Sequence, residues 1–222
     1  MNNAIDFSLY LITDRRQVKG GDLVSAVGKA LSAGVRTVQL REKDLFSREL
    51  YELAYELRKV TAEHGARLLI NDRVDIALAV DADGVHLGGD SMPLYKARKI
   101  LGNSRLIGVS CHNQVSAIMA QEKGADFITF GPVFHTPSKA SFGDPVGLEK
   151  LGEVASLLRI PVFGLGGINS ANIPEVLSAG VHGIAMISAI IAADDPSAAA
   201  AGILSAISTC RQACTYRGAD HS

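Results

Sequence analysis

The sequence predicts a closed (βα)8 barrel, and three observations carry that prediction. Eight short, β-rich apolar runs alternate with amphipathic helical patterns along the chain. Most of the runs are continuously apolar rather than alternating, as expected of parallel strands buried on both faces. Finally, 222 residues hold eight such units with little decoration. Strict alternation implies right-handed βαβ units. An open, doubly wound sheet is the alternative, and eight full repeats favour closure. No linker or composition break divides residues 1–222. One domain is therefore expected, with a core of about residues 7–212 and a polar tail over 215–222 that frays.

The elements follow in order. Leu9–Thr13 reads as the first strand, with helical spacing over Asp22–Ala33 behind it. Thr37–Arg41 is the second strand, before the helix Ser47–His64. Arg67–Asn71 is the third, with a helix starting at Arg73. Gly84–Leu87 precedes the helix Pro93–Leu101, and Leu106–Ser110 precedes Gln114–Lys123. Phe127–Gly131 runs into a loop of about sixteen residues before helix Leu148–Leu158. Pro161–Gly166 is paired with Asn172–Ala179, and Gly183–Ser188 with an Ala-rich helix from about Pro196 to Ala213.

Composition narrows the function. Hydrophobic residues make up 47% and charged residues 20%, which permits a large core and argues against disorder. A net charge of −1 gives no reason to expect nucleic acid or an anionic membrane as partner, so attraction for an anionic ligand has to be local. Cys111, Cys210 and Cys214 form no metal-type CxxC and fit a reducing cytoplasm; Cys111 reads as core and the other two as helix residues. The first residues lack a basic segment and an apolar stretch, so no signal peptide is expected, and no apolar run reaches the ~18 residues of a membrane span.

The strand ends carry the functional signal. In a barrel all eight C-terminal ends converge on one face, where active sites sit. Here those ends read Thr13-Asp14, Arg41 with Lys43, Asn71-Asp72, His86, Ser110 with His112, Gly131 to Lys139, Gly166-Gly167 and Ser188. Arg41 lies on the same strand face as Gln39 and calls for an anion, unless it or Lys43 pairs with Glu42 or Asp44. Asp72 suits Mg²⁺, which takes oxygen donors, or else caps the helix that follows. His86 reads as structural. The loop after strand six carries Thr136, Ser138 and Lys139, hydroxyls and a point charge suited to phosphate oxygens. Gly166-Gly167 lets backbone approach a second phosphate, with Ile187 and Ser188 beside it. Two anion sites in one bowl result.

These motifs resemble the thiamine phosphate synthase and thiazole tautomerase group of barrels. The match covers Tyr10-Leu-Ile-Thr-Asp14, Gln39-Leu-Arg-Glu-Lys43, Leu69 to Ala77, Gly84-Val-His-Leu-Gly88, Ile107 to His112, Gly124-Ala-Asp-Phe127, Gly131 to Lys139 and Gly166-Gly-Ile168 in order. In the synthase, the resemblance implies that hydroxymethylpyrimidine diphosphate loses pyrophosphate, leaving a pyrimidinylmethyl cation that a thiazole phosphate captures. Arg41, Lys43, Asn71, Ser110 and Lys139 would hold the diphosphate. Asp72 would bind Mg²⁺, while Gln39, Thr136 and Ser138 would orient the pyrimidine or diphosphate. Gly167, Ile187 and Ser188 would hold the thiazole phosphate. The resemblance also implies a homodimer. At one point the chain departs from the pattern: Ser91 stands where the synthases have a second Mg²⁺-binding Asp, and Asp90 is one residue off, able to substitute only if its loop shifts. The rival reading is a thiazole tautomerase, which needs neither metal nor diphosphate and would use His112 as acid/base. A third is a non-catalytic phosphate-ligand-binding barrel.

Overall fold

The computed structural model describes residues 5–136 and 144–219, with side chains to residue 212. Ser138 and Lys139, most of the loop over 139–146, and the side chain of Cys214 lie outside the described residues. Eight parallel strands close into a barrel in sequence order: β1 (Leu9–Ile12), β2 (Thr37–Leu40), β3 (Arg67–Asn71), β4 (Gly84–Leu87), β5 (Leu106–Cys111), β6 (Phe127–Phe130), β7 (Val162–Leu165) and β8 (Gly183–Met186). Closure is made by β1, whose Leu11 is in register with Val38 of β2 and Met186 of β8. Around it run α1 (Leu23–Ser32), α2 (Ser47–Glu63), α3 (Val74–Ala79), α4 (Leu94–Leu101), α5 (Gln114–Glu122), α6 (Gly147–Leu157), α7 (Ile173–Ser178), α8 (Ser188–Ile191) and α9 (Pro196–Ala219).

Two apolar layers result from the period-two alternation of strand side chains. Leu9 and Leu11 point outward to the helices, among Leu23, Val27 and Leu31 of α1. Tyr10 and Ile12 point inward, among Leu69, Phe127 and Phe163. The inner layer is a plug of aromatic rings at the foot of the barrel. Phe7 stacks on Phe163 at 5.2 Å, and Phe127 meets Phe7, Tyr10 and Phe163 edge-on at 5.7, 5.4 and 5.5 Å. Edge-to-face pairs add a favourable quadrupole term to the burial itself. Gly108 makes room for them: a Cβ there would lie 2.5 Å from the Phe127 ring and 2.6 Å from His86 Nδ1.

Three expectations need correction. Strand eight stops at Met186, because Ile187 leaves the extended region (φ −117, ψ −85) and Ser188 opens α8. The short helix α8 was not anticipated. The last helix continues to Ala219, so residues 215–219 extend it instead of forming a frayed tail; no proline interrupts its Ala-rich sequence.

Candidate active site

The C-terminal mouths of the strands enclose a cavity of about 390 Å³. Gln39, Arg41, Asn71, Ser110, Thr136, Ile187 and Ser188, all expected from the sequence, line it. A smaller cavity of about 90 Å³ adjoins it between Gly166-Gly167 and Ser188, sharing Thr136. Lys43 faces a third, of about 230 Å³, with Asn71 and Asp72 on its wall.

The β2 flank is organised by a buried carboxylate. Glu42 is only 5% exposed. It accepts from Thr13 Oγ1 at 2.6 Å, from the Arg15 backbone at 3.1 Å and from the Arg15 guanidinium at 3.2 Å. Thr13 Oγ1 in turn accepts from the Arg41 backbone at 2.9 Å. Arg15 also forks onto Asp44 at 2.7 and 2.9 Å, which holds the Asp44 carboxyl down to about 2. Both carboxylates that could have neutralised Arg41 and Lys43 are thus committed to Arg15. Among the described residues neither of those two cations has an ion pair.

The end of β3 holds a directional chain of polar groups. Asp72 sits at φ 60, a left-handed conformation uncommon outside glycine. It does not cap α3, whose cap residue is Arg73 with no side-chain bond. Instead its Oδ2 accepts from Asn71 Nδ2 at 2.7 Å and its Oδ1 from the Ser91 hydroxyl. A carboxylate only accepts, so Asn71 must turn its amino group toward Asp72 and its Oδ1 toward Gln39. Gln39 Nε2 donates to that oxygen at 3.0 Å. Among the described residues Gln39 Oε1 is left buried with no donor, an arrangement that suits a ligand N–H. Asp90 is exposed, and no hydrogen bond joins it to Asp72.

The β4–β6 floor is polar at one spot. His86, 2% exposed, lines the bowl; its Nε2 lies 3.0 Å from Ser110 Oγ and its Nδ1 3.3 Å from the Tyr10 hydroxyl. Thr129 Oγ1 is 3.4 Å from Ser110 Oγ. His112 is not brought to the bowl. Its Nδ1 lies 2.5 Å from the Gly131 carbonyl, and it lines a separate cavity between α5 and α6. Alternation sends Cys111 outward into the core, and His112 follows the strand end with no fixed face.

On the β7 flank, Gly166 (φ 102) and Gly167 (φ 66) are in conformations that favour glycine. A Cβ on Gly167 would meet Phe134 Cβ at 2.7 Å. Phe134 is held there by its backbone N–H, which donates to the Gly166 carbonyl at 3.1 Å.

Asp14, Arg16 and Gln17 also line the bowl. Of these the sequence pointed only to Asp14, as a strand end. Arg16 and Gln17 sit on a 3-10 turn, Arg15–Gln17, that the apolar pattern does not signal. Asp14 holds both, accepting from Gln17 at 2.8 Å and Arg16 Nε at 3.3 Å. Burial pushes the Asp14 carboxyl up, but these donors outweigh it and the net shift is downward.

Barrel and bowl together define an α/β-barrel enzyme whose strand ends gather cations, amides and hydroxyls around a small polar ligand. The profile of the thiamine monophosphate synthase family matches residues 9–190, and the chain belongs to that family. A Geobacter sulfurreducens protein that carries the synthase name provisionally is 60% identical, over 90% of this chain and 94% of its own. The thiamine-phosphate synthase of Desulfitobacterium hafniense is 45% identical, over 90% and 97%. Among solved structures, the thiamine phosphate pyrophosphorylase of Pyrococcus furiosus superposes with a TM-score of 0.85 at 40% identity, covering 92% of this chain and 96% of that one.

Proposed function

We propose that this chain joins hydroxymethylpyrimidine diphosphate to thiazole phosphate, releasing pyrophosphate. One observation carries the reading. Two flanks suited to anions meet at the bowl: Arg41 and Ser110 line it, with Lys43 on a cavity that shares Asn71, and on the other side Gly166-Gly167 line an adjoining cavity that shares Ser188. Between them lies Gln39 Oε1, an acceptor with no partner among the described residues, which fits an N–H of the pyrimidine.

In this reading Arg41, Lys43, Asn71, Ser110 and Lys139 hold the diphosphate, and Gln39, Thr136 and Ser138 orient the pyrimidine or diphosphate. The bond from the methylene carbon to the diphosphate oxygen breaks, and its electron pair leaves with pyrophosphate. Donors fixed before the reaction stabilise that developing charge. The ring nitrogen of the thiazole then gives its lone pair to the methylene cation, forming the C–N bond. No proton has to be removed in this step, so the His86–Ser110 contact is not called on as base and nucleophile. Gly167, Ile187 and Ser188 hold the thiazole phosphate. Apolar Ile12, Leu165 and Ile187 line the same cavity and keep water from the cation.

The donor set fits Mg²⁺. Asp72 and the Ser91 hydroxyl are hard oxygen ligands held together, and Mg²⁺ commonly takes one or two carboxylates with substrate phosphates and water. No cluster of three His, Cys, Asp or Glu is present among the described residues, so the diphosphate would supply further ligands. Bound there, the metal would neutralise charge on the departing pyrophosphate. A soluble cytoplasmic homodimer completes the proposal, consistent with the lack of a membrane-spanning helix among the described residues and checked by light scattering.

The test is coupling by purified protein with and without Mg²⁺. Mg²⁺-dependent release of pyrophosphate matched by thiamine phosphate supports the reading, and binding without turnover overturns it. The tautomerase alternative would need His112 at the substrate, and His112 lies outside the bowl.

A further inference from the structure

His86 and Tyr10 have no part in the chemistry above, yet they are built directly beneath it. Tyr10 is fully buried, with the Phe7, Phe127 and Phe163 rings around it. Burial pushes its phenol well above the ordinary range, so it keeps its proton. Among the described residues the only hydrogen-bond partner of its hydroxyl is His86 Nδ1 at 3.3 Å. A buried hydroxyl that accepted from Nδ1–H would have nowhere to donate, at the cost of an unsatisfied proton. Tyr10 therefore donates, Nδ1 accepts, and the neutral imidazole carries its hydrogen on Nε2. Nε2 lies 3.0 Å from Ser110 Oγ. Thr129 Oγ1 approaches the same oxygen at 3.4 Å. With donors on it from below, the Ser110 hydroxyl has its own proton to give upward, into the cavity it lines.

We propose that Tyr10 and His86 are positioning residues: through one fixed imidazole tautomer they aim the Ser110 O–H into the bowl, as a preset donor to an anionic ligand oxygen. The inference rests on the diphosphate reading only for the identity of that anion. Polarisation along such a chain strengthens the last donor, so the effect reaches the ligand without either residue touching it.

Two measurements on the full chain test it. Long-range ¹H–¹⁵N spectra, with His86 assigned by its absence in His86→Gln, should show Nε2 protonated and Nδ1 bare at neutral pH. The opposite tautomer, or an imidazolium, overturns the wiring. The second is calorimetric affinity for inorganic pyrophosphate in Mg²⁺ buffer. Tyr10→Phe, which keeps the ring, and His86→Leu should each weaken binding about tenfold. His86→Gln, with an amide N–H near the place of Nε2, should recover most of it. In a Ser110→Ala background Tyr10→Phe should cost nothing further. An equal loss in that background would mean that Tyr10 acts through general packing, and would overturn the proposal. Should the wild-type protein fail to bind pyrophosphate, the synthase reading and the anion assigned to Ser110 both fall, and the spectrum alone then upholds or overturns the tautomer.

Discussion

Ser91 donates its hydroxyl to Asp72 Oδ1 while accepting from the Gly88 backbone at 2.6 Å. With Asn71 on the other oxygen, the Asp72 carboxylate is clamped from both sides in a left-handed turn. Position 91 thus contributes a hydroxyl where the family resemblance leads one to expect a carboxylate, so the candidate metal site carries one negative charge fewer than that expectation. Ser91→Asp should tighten binding of Mn²⁺, a paramagnetic stand-in for Mg²⁺, by about tenfold, read from the signal of free Mn²⁺. Unchanged affinity would place the metal elsewhere. Asp72→Ala should lower Mg²⁺-dependent turnover by about a hundredfold or more.

Arg16 is tethered to Asp14 through its backbone N–H and Nε, and lines the bowl. Arg16→Ala should raise KM for a phosphorylated substrate about tenfold with little change in kcat. An equal fall in kcat at constant KM would instead assign Arg16 to the transition state.

Gln39→Leu removes the buried acceptor that has no partner among the described residues. The expected result is a KM for the pyrimidine diphosphate raised about tenfold, with KM for the thiazole phosphate changed less than about twofold. Equal effects on both would show that the change merely loosens Asn71.

Gly167→Ala combines positive φ with a collision against Phe134, whereas Gly180 has positive φ (84) and open space around it. Both alanines should lower unfolding free energy in urea, Gly180→Ala by about 1 kcal/mol and Gly167→Ala by more. Equal losses would show that the β7 loop gives way freely.

Burial pushes the Cys111 thiol up to about 11 from an ordinary value of 9.0. At pH 8 the folded thiol stays protonated and buried, whereas the unfolded thiol is exposed and partly ionised, so iodoacetamide should label it only after unfolding. Between pH 9 and 11 the unfolded chain gives up a proton that the folded chain keeps, so stability should decline as pH rises through that window. Rapid native labelling at pH 8 would contradict this.

The barrel and most of its bowl were legible in the sequence because the signal is redundant. Eight apolar runs end in polar residues, and closure alone makes those ends converge. Gln39, Arg41, Asn71 and Ser110 sit at or next to the last residues of strands, where alternation still dictates the inward face. One or two residues further that rule lapses. His112 swings outside while Arg16 turns in, and nothing in local periodicity separates them. His86 reads as structural in the sequence, since its partners Tyr10 and Ser110 come from other strands. Only the stagger of the closed barrel sets those three at one height. The Ser91–Asp72 contact spans nineteen residues and depends on how the loop after β4 folds back.

The aromatic plug of Phe7, Tyr10, Phe127 and Phe163 makes the bowl a cup with a single doorway. Molecules cannot pass through this barrel; they enter and leave past the same rim. The direction of traffic is therefore set at the base of the barrel, far from any atom that reacts.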